Sequence, residues 1–185
     1  MEQIIDYRFE VINELLKEKN HIRNIAKNLK TNHMTILRRI KELFDLNVID
    51  YKEEGKNKVY FLKDTIEAKT NILMVENYKL IKIITKYPNL RRIIEKIQLN
   101  KQVRLAVLFG SYAKEIPKKE SDIDVYIETN SQDLKKELEK IDSKLSIKIG
   151  KYNKDNPLIK EIKKNHVIIK GIEKYYEISW FFENT

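Results

Sequence analysis

The sequence predicts an α+β protein: three short helices and a hairpin, then a helical connector, then a C-terminal α/β domain built on a mixed sheet. Three observations carry this. The apolar period is helical from Ile4 to Phe44 and shortens to two between Val48 and Leu62. A second helical stretch, rich in lysine, runs from Thr65 to Leu99. From Leu105 to Gly171 short apolar strands alternate with helices, the pattern of a sheet covered by helices. The expected boundaries are 1–63, 64–101 and 102–185.

In the first segment Ile4, Ile5, Phe9, Ile12, Leu15 and Leu16 form one stripe of an amphipathic helix ending near Lys17. Lys19-Asn20 turns the chain into a second helix, His21 to Leu29, whose inward residues are Ile22, Ile25, Ala26 and Leu29. Thr31 or Asn32 caps a third, which runs to about Phe44 and buries Ile36, Ile40 and Leu43. Two β-runs follow, Val48–Lys52 and Lys58–Leu62, joined by the polar turn Glu53-Glu54-Gly55-Lys56-Asn57.

The connector begins at Thr65, a capping residue, and carries Ile66, Ile72, Leu73, Leu80, Ile81 and Ile84 as far as Tyr87-Pro88, where proline breaks the helix. Leu90, Ile93, Ile94 and Ile97 then repeat at helical spacing up to Leu99. The longer helix reads as the seam of a homodimer or as packing within its own domain. By charge the connector stands out: residues 63–104 hold 10 basic and 4 acidic side chains, against 12 and 10 in residues 1–62 and 15 and 14 in residues 105–185.

The chemistry-bearing stretch is Leu105–Ile127, LAVLFGSYAKEIPKKESDIDVYI. Leu105–Phe109 is an apolar strand that stops at Gly110-Ser111, where a turn opens a short helix. Gly110 allows backbone amides to approach a ligand closely, and Ser111 adds a hydroxyl at a helix start, where free N–H groups favour phosphate. After a lysine-rich loop, Ser121–Ile127 alternates as a second strand, and period two puts Asp122 and Asp124 on one face. Paired carboxylates repel unless a cation lies between them, so a divalent metal with a bound triphosphate is the expected occupant. Two solvated aspartates beside a glycine turn are the plainer alternative.

The remaining elements follow the same alternation: a helix over Ser131–Lys144, a strand over 145–149, a helix opened by Asn156-Pro157 and a last strand over His166–Gly171. His166 reads as a structural residue at a strand start or as a neighbour of the nucleotide. The closing IEKYYEISWFF reads as a cover for the sheet, with base stacking or a partner contact as alternatives.

The strand, G-S, spacer, S-D-I-D, strand arrangement resembles the minimal nucleotidyltransferase domains of the DNA polymerase beta superfamily, matching at Gly110, Ser111, Ala113, Ser121, Asp122 and Asp124 over about residues 103 to 171. The resemblance implies that Asp122 and Asp124 hold two magnesium ions and that Gly110 and Ser111 contact the β- and γ-phosphates of a nucleoside triphosphate. A substrate hydroxyl would then attack the α-phosphorus and expel pyrophosphate. Two positions depart from the family pattern. Glu115 stands where many members have glycine. The third carboxylate, expected on the strand Leu145–Ile149, falls on Lys148. That ammonium weakens metal attraction or substitutes electrostatically for a metal, unless Asp142 or Asp155 supplies the missing acid.

Three helices followed by a hairpin resemble a winged helix-turn-helix, and NHMTILRRIKEL resembles the recognition helices of bacterial and archaeal regulators. The resemblance implies that Asn32, His33, Thr35, Arg38 and Arg39 face the major groove of double-stranded DNA, with Lys56 and Lys58 of the wing near phosphate. A protein-contact module is the alternative. The near balance of charge in residues 1–62 predicts modest nonspecific affinity for DNA.

With 42% hydrophobic and 35% charged residues, the 185-residue chain has the composition of a soluble protein with room for two cores. No apolar run approaches the roughly twenty residues needed to span a bilayer, and the start MEQIID lacks the features of a signal peptide, so the expected location is the cytoplasm. The absence of cysteine excludes disulfides and thiolate metal sites, and three scattered histidines argue against a structural zinc site. The expected function is a magnesium-dependent nucleotidyltransferase coupled to a DNA-binding winged helix. The alternatives are a non-enzymatic transcriptional regulator whose degenerate domain binds nucleotide or a partner, and a domain that modifies or sequesters a partner protein.

Overall fold

The computed structural model describes residues 6–179. The chain divides into two compact units between Tyr78 and Lys79, inside one long helix.

The first unit opens with α1 (Tyr7–Lys17), capped by Asp6, whose side chain accepts from the Arg8 N–H at 2.9 Å. Helices α2 (Ile22–Asn28) and α3 (His33–Asp45) follow. Asn32 is the residue that caps α3, its Oδ1 accepting the Thr35 N–H at 2.8 Å. Such a cap satisfies a donor the helix itself cannot and contributes about 1 kcal/mol. Val11, Ile12, Leu15, Ile25, Ala26, Ile36, Ile40 and Leu43 are buried, as the helical period requires, and α3 packs against both α1 and α2. Ile4 and Ile5 of the expected stripe lie outside the described residues.

Strands β1 (Ile49–Glu54) and β2 (Asn57–Leu62) form an antiparallel hairpin. Its turn is shorter than the expected five residues, because Glu53 pairs with Lys58 and Glu54 with Asn57, leaving only Gly55-Lys56 outside the ladder. Gly55 has φ +63°, the left-handed backbone that a two-residue hairpin turn demands. Asn20, between α1 and α2, exchanges backbone hydrogen bonds with Tyr60 at 3.0 and 2.8 Å, which ties the hairpin to the helices.

Helix α4 (Ile66–Lys86) starts where Thr65 Oγ1 accepts the Ala68 N–H at 3.2 Å and stops before Tyr87-Pro88. The second unit continues through α5 (Leu90–Leu99), β3 (Ala106–Leu108), α6 (Gly110–Ala113), β4 (Ile123–Glu128), α7 (Gln132–Glu139), β5 (Leu145–Gly150), α8 (Pro157–Lys164), β6 (Val167–Lys170) and α9 (Ile172–Ser179). Its strands are ordered β5-β4-β3-β6. β4 and β5 run parallel and the other pairs antiparallel, so the sheet is mixed, and α7 supplies the crossover that a parallel pair needs.

One face of that sheet, with Ala106, Leu108, Val125, Ile127, Ile147, Val167 and Ile169, joins Ile93 and Ile97 of α5 and Leu134 and Leu138 of α7 in a single core. α7 ends at Glu139, five residues short of its expected end. Glu139 Oε1 accepts the Ile147 N–H at 3.0 Å, and Asp142 Oδ1 accepts the Lys144 N–H at 2.8 Å. These side-chain bonds favour a turn into β5 over another helical turn. The opposite face presents Val107, Tyr126 and Ile168, which are register partners. α9 lies on this face: Lys174 pairs with Glu128, and Tyr175 packs on His166 with ring centroids 4.8 Å apart. Tyr175 and Tyr176 of the closing segment are buried in this way, whereas Trp180, Phe181 and Phe182 lie outside the described residues.

Candidate functional site

The end of β3, the start of α6 and the first residues of β4 converge because the antiparallel ladder runs one residue past its strand. The Phe109 N–H donates to the Asp124 carbonyl at 3.0 Å. Directly after it the chain turns at Gly110, whose φ of +69° suits glycine and disfavours any residue with a Cβ. A Cβ built there would lie 2.4 Å from Asp124 Oδ2, so the carboxylate occupies the space that the glycine leaves free. Ser111 is half-buried on the one-turn α6. Tyr112 anchors that turn by an edge-on contact with Tyr87, centroids 5.3 Å apart.

Asp124 is half-buried and Asp122 exposed, and the strand period puts them on one face. The parallel register sets Asp124 opposite Ser146 and Tyr126 opposite Lys148, so Lys148 emerges on that same face. The Asp124 carboxyl is pushed above its ordinary value, first by burial and then by the neighbouring Asp122 charge. Lys148 and Lys114 pull the other way, while Glu161 adds to the rise. Asp142 is committed to the turn before β5, and Asp155 is exposed in the loop before α8.

Lys114 and Glu161 are two residues that sequence reasoning passed over. They pair at 2.7 Å between the end of α6 and α8, and both act on Asp124. A local signal existed for Lys114, which follows Gly110 by one helical turn and donates its backbone N–H to the Gly110 carbonyl at 3.1 Å. For Glu161 there was none, since its place depends on how α8 returns to the sheet.

A divalent cation fits this donor set in number and kind: two carboxylates, one partly desolvated, beside a backbone turn with no side chain in the way. Among the described residues no group of three or more His, Asp or Glu is placed to hold a metal ion unaided. Water or the oxygens of a bound ligand would therefore have to complete the coordination of any ion held there.

In the first unit, Asn32, His33 and Arg38 are exposed at the start and along α3, and Thr35 is half-buried. Arg39 turns back along the helix, its Nη1 donating to both Glu42 oxygens at 2.7 and 2.8 Å. Lys56 sits in the exposed hairpin turn. Lys58 is exposed on β2, its Nζ 4.0 Å from the centre of the Tyr51 ring.

Comparison with known proteins adds two similarities. Residues 91–174, from α5 into α9, match the family model described as Polymerase beta, Nucleotidyltransferase. A 52-residue stretch, 28% of the chain, is 40% identical to an uncharacterized HTH-type transcriptional regulator of Methanocaldococcus jannaschii, of which it spans 13%. No helix among the described residues is long and apolar enough to cross a membrane.

Proposed function

We propose that the protein is a nucleotidyltransferase that moves a nucleoside monophosphate from a nucleoside triphosphate to a hydroxyl acceptor, and that residues 1–63 form a winged helix-turn-helix directing it to double-stranded DNA. The observation that carries the first part is the fit of Asp124 over Gly110, which joins a carboxylate to a side-chain-free backbone turn at one strand end. The match of residues 91–174 to the nucleotidyltransferase family model supports it.

In this reading Asp122 and Asp124 hold magnesium, which supplies positive charge to the phosphate oxygens during transfer. The backbone of Gly110 and the hydroxyl of Ser111 receive the β- and γ-phosphates. Gly110 keeps that approach open, and Phe109, bonded to the Asp124 backbone, fixes the turn against the strand bearing the carboxylates. Lys114 stays paired with Glu161 at 2.7 Å beside this site. Incubating the protein with each α-labelled nucleoside triphosphate, magnesium and candidate RNA, DNA and protein acceptors tests this reading. Transfer of label that disappears in Asp122→Asn and Asp124→Asn supports it. Transfer undiminished in both variants overturns the role of the pair.

Asn32, His33, Thr35, Arg38 and Arg39, with Lys56 and Lys58, are the proposed DNA contacts. Exposure of Asn32, His33 and Arg38 on α3 and the partial similarity to a regulator support that surface. The boundaries at 63 and 101 belong to the same proposal, and limited proteolysis tests them. One observation favours a second reading: Lys148 shares the carboxylate face. If it blocks transfer, the domain is a nucleotide sensor in a cytoplasmic transcriptional regulator. Nucleotide-dependent DNA affinity without transfer would distinguish that case.

A further inference from the structure

Lys148 departs most from what a site for two divalent ions requires. It lies on β5 beside β4, on the face that carries Asp122 and Asp124, and it is exposed to solvent, so its four-carbon stem is free to sweep over the carboxylate end of the sheet. A lysine ammonium has three donors and no acceptor. It gives a metal ion no ligand, and it repels one.

The surrounding charges leave little room for another cation. Lys114 and Glu161 pair at 2.7 Å, so among the described residues the other charges acting on Asp124 are those of Asp122 and Lys148. Before a triphosphate arrives, one divalent ion already outweighs the net negative charge of Asp122, Asp124 and Lys148. A second would have no protein carboxylate of its own and would sit beside a fixed positive group, an arrangement that costs Coulomb energy in a half-buried site.

Resting on the reading of this site as one for a nucleoside triphosphate, we infer that Lys148 is its built-in second cation: the site takes one divalent ion on Asp122 and Asp124, and the Lys148 ammonium binds the polyphosphate where another ion would otherwise be needed. Two properties follow. The site binds a triphosphate with a single metal, and part of that affinity persists with no metal at all, since an ammonium cannot be chelated away. The register of β5 beside β4 puts the Lys148 charge on this face before ligand arrives.

The test uses the full chain with Mn2+ as the probe and the α,β-methylene analogues of ATP, GTP, CTP and UTP. Bound Mn2+ is counted by equilibrium dialysis against the Mn2+–analogue mixture, as the excess Mn2+ on the protein side. The expected result is one Mn2+ per chain at saturating analogue in the wild type and two in Lys148→Asp. In excess EDTA, Lys148→Gln should bind the analogue about tenfold more weakly than wild type, the loss expected for one charge-assisted contact. Lys148→Gln removes only the charge at an exposed position, so the test survives if Lys148→Asp fails to fold. Two Mn2+ in the wild type, a single Mn2+ in folded Lys148→Asp, or unchanged EDTA-resistant binding in Lys148→Gln each overturns the inference. Absence of binding by every variant to all four analogues overturns the nucleotide reading itself, and the inference with it.

Discussion

The carboxylate of Asp124 rests where the side chain of residue 110 would be: a Cβ on Gly110 would come within 2.4 Å of Asp124 Oδ2 and 3.2 Å of its carboxyl carbon. The glycine is thus required twice, for its φ of +69° and for the space it yields. Gly110→Ala should displace Asp124 and destabilise the second unit by about 1–3 kcal/mol, the usual cost of a strained backbone and an overpacked contact. Urea unfolding measures the stability loss, and titration with a non-hydrolysable triphosphate should show binding reduced well beyond it. A variant that binds as wild type would remove Gly110 from the phosphate site.

Asp124 also makes stability depend on pH in an unusual direction for an aspartate. Its carboxyl sits above the ordinary range because burial and Asp122 disfavour the charged form, which leaves the folded state penalised once the group ionises. The stability it contributes is fully present below the ordinary carboxylate pKa and is lost as pH rises through the raised folded value. In the absence of divalent metal, Asp124→Asn should therefore melt at a higher temperature than wild type at pH 7, with the gap closing as pH falls through the raised folded value and gone below the ordinary carboxylate pKa. Magnesium should reverse the order by stabilising only the wild type. Differential scanning calorimetry across pH, with and without magnesium, measures both effects, and a variant less stable than wild type at pH 7 contradicts the account.

Glu115 stands at φ +59°, a left-handed conformation in which glycine is at ease and glutamate is strained. Its carboxylate meets Lys86 Nζ at 2.6 Å, and the lysine's pKa is raised by that hydrogen bond. An exposed pair of this kind contributes little, about 0–1 kcal/mol. Both Glu115→Gly and Glu115→Ala lose the pair, but only glycine relieves the backbone. The glycine variant should exceed the alanine variant by about 1 kcal/mol in chemical denaturation. Equal stabilities would mean that the turn relaxes around either residue.

Elements whose signal is local were legible in the sequence. α5 spans Leu90–Leu99 as its spacing of Leu90, Ile93, Ile94 and Ile97 predicts, and Asn32, Thr65 and Asn156 cap the helices that follow them. Gly110 and Asp124 were readable as residue types at a telling spacing, yet the packing of one over the other appears only when β3 and β4 pair. The end of α7 was not legible, because Glu139 stops it by a bond to Ile147 of the next strand, while Asp142 accepts the Lys144 N–H in the turn between them. Glu161 escaped for a similar reason: it reaches Asp124 only through the return of α8 to the sheet, and no short motif encodes that return.

The two adjacent arginines of α3 give a prediction that separates base reading from helix support. Arg38 is exposed, whereas Arg39 spends its Nη1 on both oxygens of Glu42, one helical turn along. An arginine that docks against a base edge typically contributes about 1–3 kcal/mol, and an exposed ion pair within a helix only a few tenths. If α3 enters the major groove, Arg38→Ala should weaken binding to a site selected from random duplex DNA by roughly tenfold or more and relax the preference at one base pair. Arg39→Ala should cost less affinity and should leave the sequence preference in place. Fluorescence anisotropy on the selected site and on single-base variants reads both quantities at fixed salt, which must be held because phosphate contacts respond to it. Equal, sequence-independent losses in the two variants would make them phosphate contacts alone, and no loss in either would leave α3 outside the groove.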